Sequence, residues 1–174
     1  VPFLTIDSDP YILLTDEGKL VWVVDAYTTT DEFPYSQRTE GLNYIRNSVK
    51  IIIDAYDGKA TYYIIDEEDP LINAYDAIYP GIFTREDLPG FVKEHMKYPE
   101  NLFELQTEML KKYHLTADDV DVFYSQQDLW DIAKYPADGN AGSLVDIDSY
   151  YVTIKLPNVS EEPELVLIRP FTPK

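Results

Sequence analysis

Residues 49–66, Val-Lys-Ile-Ile-Ile-Asp-Ala-Tyr-Asp-Gly-Lys-Ala-Thr-Tyr-Tyr-Ile-Ile-Asp, constrain this chain more than any other stretch. Two β-rich runs are separated by Asp57-Gly58, the dipeptide that most readily takes the positive φ angles of a type I′ turn. Such a turn sets Tyr56 opposite Lys59, Ala55 opposite Ala60, Ile53 opposite Tyr62 and Ile51 opposite Ile64. One face then carries Val49, Ile51, Ile53, Ala55, Ala60, Tyr62 and Ile64. The other carries Lys50, Ile52, Asp54, Tyr56, Lys59, Thr61 and Tyr63, a mixed face that water or a polar partner could cover. A lone hairpin is marginal in water, so the apolar side requires further strands or helices.

An earlier hairpin is expected from Tyr11–Leu14 and residues 19–27, closed by Thr15-Asp-Glu-Gly18. Asp-Ala-Tyr ends its second run at Tyr27 and recurs at Tyr56, where a hairpin opens rather than closes. Between the two hairpins, residues 28–48 read as a polar linker. Linkers longer than about 12–15 residues without structure of their own are often functional. Arg38 and Arg46, two of the chain's four arginines, lie there. Candidate binding residues at this linker and its anchors are Tyr27, Thr29, Tyr35, Arg38, Asn43, Tyr44, Arg46 and Asn47. The competing structural role is that Arg46 and Lys50 pair with nearby Asp side chains, Asp25 or Asp54 for Arg46, while Tyr44 caps the core.

From Pro70 the pattern turns helical. Asp69-Pro70 has the form of an N-cap followed by proline at the first helical position, with Leu71, Ala74, Tyr75 and Ile78 in one stripe. Thr84-x-x-Asp87, Thr116-x-x-Asp119 and Ser125-x-x-Asp128 have the spacing of helix starts. The longest helix is expected over residues 99–113, and a short one over 126–134 burying Leu129, Trp130 and Ile132. Residues 150–156 and 165–170 read as strands that return to the sheet. The expected fold is one α+β domain over residues 1–174: an antiparallel sheet built on two hairpins, a helical segment (70–135) on one face, and C-terminal strands (149–170) extending the sheet that begins in 1–66.

A chain of 174 residues can bury roughly 70% of its unfolded surface. Its net charge of −18 argues against nucleic acid or an anionic membrane surface as a direct partner, since both need clustered Lys and Arg. With no cysteine there is no disulfide, thiol chemistry or Cys-ligated zinc. No window is apolar enough to be a transmembrane helix or signal peptide, and the start at Val1 suggests a processed product or an excised domain. His95 and His114 fall on polar helix ends, where solvation is the expected role. No phosphate loop, nucleophile elbow or His-x-x-x-His pair occurs, so no catalytic residue is assigned. No cofactor is evident. Asp7/Asp9, Asp66-Glu-Glu-Asp69, Asp118-Asp119-Val-Asp121 and Asp146-Ile-Asp148 could take Ca²⁺ or Mg²⁺ through oxygen ligands.

The motifs Pro2-Phe-Leu-Thr5, Asp9-Pro-Tyr11, Leu20-Val-Trp-Val-Val-Asp-Ala-Tyr-Thr-Thr29, Pro34-Tyr-Ser36, Asn43-Tyr-Ile-Arg-Asn-Ser-Val-Lys50 and Asp54-Ala-Tyr-Asp-Gly58 follow in an order that resembles the UPF0182 family of uncharacterised bacterial membrane proteins. Tyr98-Pro99, Leu102-Phe103, Leu129-Trp130, Lys155-Leu-Pro157 and Pro170-Phe-Thr-Pro173 continue the resemblance. It implies a soluble extracytoplasmic portion of an integral membrane protein, located at the cell membrane on its outer side. The parent's own transmembrane region, or other envelope proteins, would be its partners. No activity comes with the resemblance, so a binding or scaffolding role is expected. The alternatives are an extracytoplasmic metal-assisted hydrolase using a carboxylate cluster, or a modulator of a protease, since residues 50–66 are similar to a PepSY-type hairpin.

Overall fold

The computed structural model describes residues 1–39, 41–113, 120–125, 129–137, 143–159 and 161–173. Two compact units divide the chain, Val1–Pro99 and Glu100–Lys174.

The first unit is built on the two expected hairpins. Its strands are β1 (Thr5–Ile6), β2 (Tyr11–Leu14), β3 (Leu20–Thr30), β4 (Tyr44–Asp54), β5 (Ala60–Ile64) and β6 (Phe83–Thr84). β3 pairs antiparallel with β4, and β4 with β5. β1 and β2 share the outer edge of β3, and β6 adds a short parallel pairing on β5. The α+β class is as the sequence suggests.

The second hairpin forms with its two faces as expected, but its register lies two residues from the type I′ arrangement. Ile53 is opposite Ala60, Ile51 opposite Tyr62, and Val49 opposite Ile64. The reason is Asp54. Its carboxylate accepts the Tyr56 and Asp57 amides at 2.8 and 3.2 Å, and its carbonyl accepts the Gly58 amide at 3.0 Å. Residues 55–58 are thereby wound into a four-residue loop with Gly58 at φ +73°. A two-residue slip keeps side-chain parity, which is why the face assignment survives.

Both faces of the sheet have elements packed on them, where one was expected. On one face, α1 (Pro70–Ile78) and Leu4 pack Ile72 and Leu4 against Val24, Ala26, Val49, Ile51 and Ile64. On the other, the segment around α2 (Gly90–Lys93) packs Val92, Leu88 and Phe91 against Val21, Val23, Ile52, Leu13 and Tyr63. Thr84 starts no helix; its hydroxyl accepts the Glu86 amide in a local turn after β6. Pro89 precedes α2, and the helix has no side-chain cap.

The strands also run further than expected. Thr28 to Thr30 belong to β3 and Tyr44 to Lys50 to β4, so the loop between them is residues 31–43. A β-bulge after Ala26 makes this extension workable. Ser48 reaches the α1 N-cap while Val49 joins the α1-side core, so two successive residues face α1. Tyr44 and Arg46 are thereby turned toward α1, and Asn47 toward the other face.

In the second unit, α3 (Glu100–Tyr113) matches the long helix expected, and α4 (Val120–Ser125) follows. The expected helix at 126–134 is not formed where the chain is described. Trp130–Ile132 is a strand, β7, and Lys134–Pro136 another, β8, that pairs with β9 (Leu144–Asp146). Trp130 and Ile132 are good strand formers, and pairing with a distant segment overrode the weak helical pattern. Residues 126–128, like Thr116 to Asp119 and His114, lie outside the described residues. Ser125 is the last residue of α4, and the rest of its Ser-x-x-Asp pattern lies outside the described residues. β10 (Tyr150–Ile154) and β11 (Glu164–Ile168) form the expected C-terminal strands, yet they pair with each other, while β12 (Phe171–Pro173) pairs with β7. Among the described residues neither pair joins the first sheet; β10 and β11 satisfy each other's backbone groups as a local hairpin, and β12 is taken up by β7. Among the described residues no helix is long and apolar enough to cross a membrane.

Candidate functional site

Among the described residues eight polar or charged side chains are buried, and the six in the first unit belong to two networks on opposite faces of the sheet. On the α2 face, Lys50 Nζ lies 2.5 Å from Asp25 Oδ1, with Lys50 fully buried and Asp25 nearly so. Asn47 donates to the same carboxylate oxygen at 2.9 Å. Next to them the Tyr27 phenol donates to Asp7, whose other oxygen accepts the Asp9 amide at 2.8 Å. Asp9 in turn holds Lys97 at 2.7 Å, above the Tyr11 ring. Burial, more than the neighbouring Asp25 and Asp9 carboxylates, pushes the Tyr11 phenol up to about 12.

On the α1 face the centre is Asp69, fully buried at the helix N-cap. It accepts Thr28 and Ser48 hydroxyls at 2.5 Å each, the Tyr44 phenol at 2.6 Å, and the Leu71 and Ile72 amides at 3.0 and 3.3 Å. Burial alone would raise its pKa. The hydrogen bonds from Ser48, Thr28, Tyr44 and Leu71 outweigh that and hold it below the usual carboxylate value. Burial, then the bond to Asp69, pushes Tyr44 up to about 12, so Tyr44 stays a donor.

Tyr44 connects this buried centre to the surface loop. Its ring stacks on Phe33 at 4.6 Å between centroids, at the base of loop 31–43. Within the loop, Asn43 acts as a clamp. Its amide oxygen accepts the Phe33 amide at 2.9 Å, and its Nδ2 donates to the Phe33 and Ser36 carbonyls at 2.7 and 3.2 Å. The Ser36 hydroxyl returns a bond to the Asn43 carbonyl at 2.7 Å. Arg38 closes the far side, with Nε donating to the Asp31 carbonyl at 3.0 Å and a guanidinium nitrogen 3.4 Å from its carboxylate. At the tip Tyr35 holds φ +60° with its side chain fully exposed. An aromatic residue in the left-handed region is strained, and such strain persists only where the surroundings enforce it. Here the Asn43 clamp enforces it.

Of the eight residues singled out in the sequence, Tyr35, Arg38, Asn43 and Tyr44 come together in this loop and its base. Arg46 stands beside it, 3.2 Å from Asp66 and half exposed; Lys50, not Arg46, neutralises Asp25. Thr29 lies 3.3 Å from the Thr5 hydroxyl. Tyr27 and Asn47 belong to the buried network on the other face. Sequence reasoning did not single out Asp69 as a hub, although Asp69-Pro70 marked it as a cap. It also passed over Arg169, which organises the second unit. Arg169 reaches the buried Thr107 hydroxyl at 2.9 Å and the Glu104 carbonyl at 3.4 Å, while Glu104 accepts Ser149 at 2.9 Å. Among the described residues no three His, Asp or Glu side chains are grouped to hold a metal ion. His95 is exposed, with Nδ1 2.8 Å from the Phe91 carbonyl.

These features define a mixed α+β protein in which a strained, braced loop stands on a sheet stiffened by two buried carboxylate networks. The whole chain, residues 1–174, matches the uncharacterised protein family UPF0182, and it belongs to that family. It is 49% identical to a UPF0182 protein of Caldicellulosiruptor saccharolyticus, covering 99% of this chain and 18% of the relative. Identity is 47% to a UPF0182 protein of Clostridium acetobutylicum and 45% to one of Methanospirillum hungatei, each covering 99% of this chain and 19% of the relative. The chain therefore spans about a fifth of the length of the curated relatives it matches. No solved structure matches it.

Proposed function

We propose that this chain is a binding or scaffolding element of an envelope protein, working on the extracytoplasmic side of the membrane, with loop 31–43 as its recognition surface. The observation that carries the reading is Tyr35. A wholly exposed tyrosine is held in a strained backbone conformation by a loop that satisfies its own polar groups through Asn43. A rigid aromatic anchor contributes contact area at low entropic cost, which is how tyrosine serves recognition loops. Arg38, at the rim, is suited to a carboxylate or phosphate on the partner. The location rests on the family resemblance, and relatives five times longer leave ample chain for a membrane-spanning part.

The test uses the full-length protein in cells. An epitope inserted after Gly58, in an exposed turn, should be reached by antibody in intact cells; detection only after permeabilisation overturns the location. Tyr35→Gly should keep stability or raise it by about 1 kcal/mol, because glycine relieves the left-handed strain. The same change should abolish cross-linking of the loop to its partner. Unchanged cross-linking with Tyr35→Gly sinks the loop as the recognition surface.

A further inference from the structure

At the other end of β3 from the recognition loop, the sheet carries apolar surface that the described residues of the first unit leave exposed. Residues 11–14, Tyr-Ile-Leu-Leu, and 20–24, Leu-Val-Trp-Val-Val, are continuous apolar runs rather than alternating ones. Such runs belong to strands buried on both faces. Here the odd positions Tyr11, Leu13, Val21 and Val23 pack under the α2 segment. The even positions do not share that cover. Ile12 is 46% exposed, Leu14 62%, Leu20 38% and Trp22 41%. They form one patch, because Ile12 is directly opposite Trp22, Leu14 opposite Leu20, and Trp22 opposite Ile53. α1 lies further along the same face, over the core that contains Val24 and Ala26, and of the Trp22 row Ile53 and Ala60 reach that core while Trp22 stays exposed. β2 has β3 as its one strand partner among the described residues, which leaves its outer edge free to pair. Beside the patch, Lys19, Asp54, Tyr56 and Asp57 line an open depression, three of them charged. An apolar centre with a polar rim is the anatomy of an interface.

We infer that this patch and the β2 edge are the docking surface for another segment of the same polypeptide in the full-length protein. The argument for that occupant is length: the relatives carry more than four-fifths of their chain outside the region matched here. In a chain of net charge −18, a second copy would bring like charge against like. A covalently attached segment is present at high effective concentration and needs only modest contact area to stay docked. This inference does not depend on the recognition loop.

The test places a photo-crosslinking amino acid at Leu14 of the full-length protein, and at Glu17 in the adjacent turn as the exposed reference. Isotope-labelled and unlabelled copies are mixed so that links within and between molecules can be told apart by mass. The expected result is a link from position 14 to a peptide outside residues 1–174 of the same molecule, at least tenfold above the Glu17 background. A link to a peptide within 1–174, to a second copy or to a different protein overturns the inference, and so does labelling no stronger than at Glu17. Leu14→Asp in the full-length protein supplies a second reading should the crosslinker disturb folding. Docking predicts a fall of several degrees in melting temperature. An unchanged melting temperature, as expected of a charge placed in solvent, overturns it.

Discussion

Asp-Ala-Tyr occurs twice in the strand-rich unit, and the two copies have opposite fates. Asp25, Ala26 and Tyr27 are all buried in β3: the carboxylate holds Lys50 and Asn47, and the phenol reaches Asp7. Asp54, Ala55 and Tyr56 run off the end of β4. There the carboxylate folds back onto the turn amides, and the phenol stands in solvent. The tripeptides are the same; their neighbours differ. At Asp25 to Tyr27, β3 has strands on both edges and cover on both faces, whereas the second copy meets a turn. A carboxylate in the first environment must find charged or polar partners or its burial is prohibitive, while one in the second is free to serve local backbone geometry.

The sharpest way to break this contrast is to remove the partner of the buried copy. Lys50→Met leaves Asp25 buried without its cation and should cost about 3–5 kcal/mol, read from urea denaturation. Adding Asp25→Leu should recover much of the loss, since an apolar pair replaces an orphaned charge; failure to recover would mean that the pair does more than neutralise itself. Smaller effects follow from the tyrosines. Tyr27→Phe removes a donor from the buried Asp7 carboxylate and should cost about 1.5–3 kcal/mol, while Tyr56→Phe should stay within about 0.5 kcal/mol. Equal losses at the two positions would erase the distinction.

A pH titration sharpens the comparison at the exposed copy. Hydrogen bonds from the Tyr56 and Asp57 amides hold the Asp54 carboxyl below its usual value. A depressed folded pKa means that its contribution is complete above the ordinary carboxylate pKa and is lost as pH falls through the lower folded value. The Tyr56 and Asp57 amide resonances should therefore keep their positions down to about pH 4 and shift only below it. A midpoint above the ordinary value contradicts the turn's hydrogen bonding. A small effect is also expected at Arg46→Ala, where an ion pair to Asp66 that is half exposed should be worth no more than about 1 kcal/mol.

Local sequence was informative where local chemistry decides. Both hairpins, the α1 cap at Asp69-Pro70 and the span of α3 follow from patterns of a few neighbouring residues: β-branched alternation, a carboxylate before proline, a stripe at helical spacing. The linker 28–48 was recognisable as a place of interest from its polarity and its two arginines, of which Arg38 lies in the loop 31–43 and Arg46 in β4. Its clamp was not, because Asn43 acts on residues seven to ten positions earlier. What the tertiary structure decided is everything that depends on a partner distant in sequence. Trp130 to Ile132 became strand because Phe171–Pro173 was there to pair with it, against a helical pattern. The β-bulge at Asn47 and Ser48, opposite Tyr27, turned Ser48 and Tyr44 toward Asp69, 21 and 25 residues away, and so made a hub of what the sequence marks only as a cap. Asp25 and Lys50 are likewise 25 residues apart, and only their opposition across β3 and β4 makes each one's burial affordable. Side chains adjacent in the chain announce turns, caps and strands. Buried polar networks are assembled by register, which follows from how whole strands pair and pack.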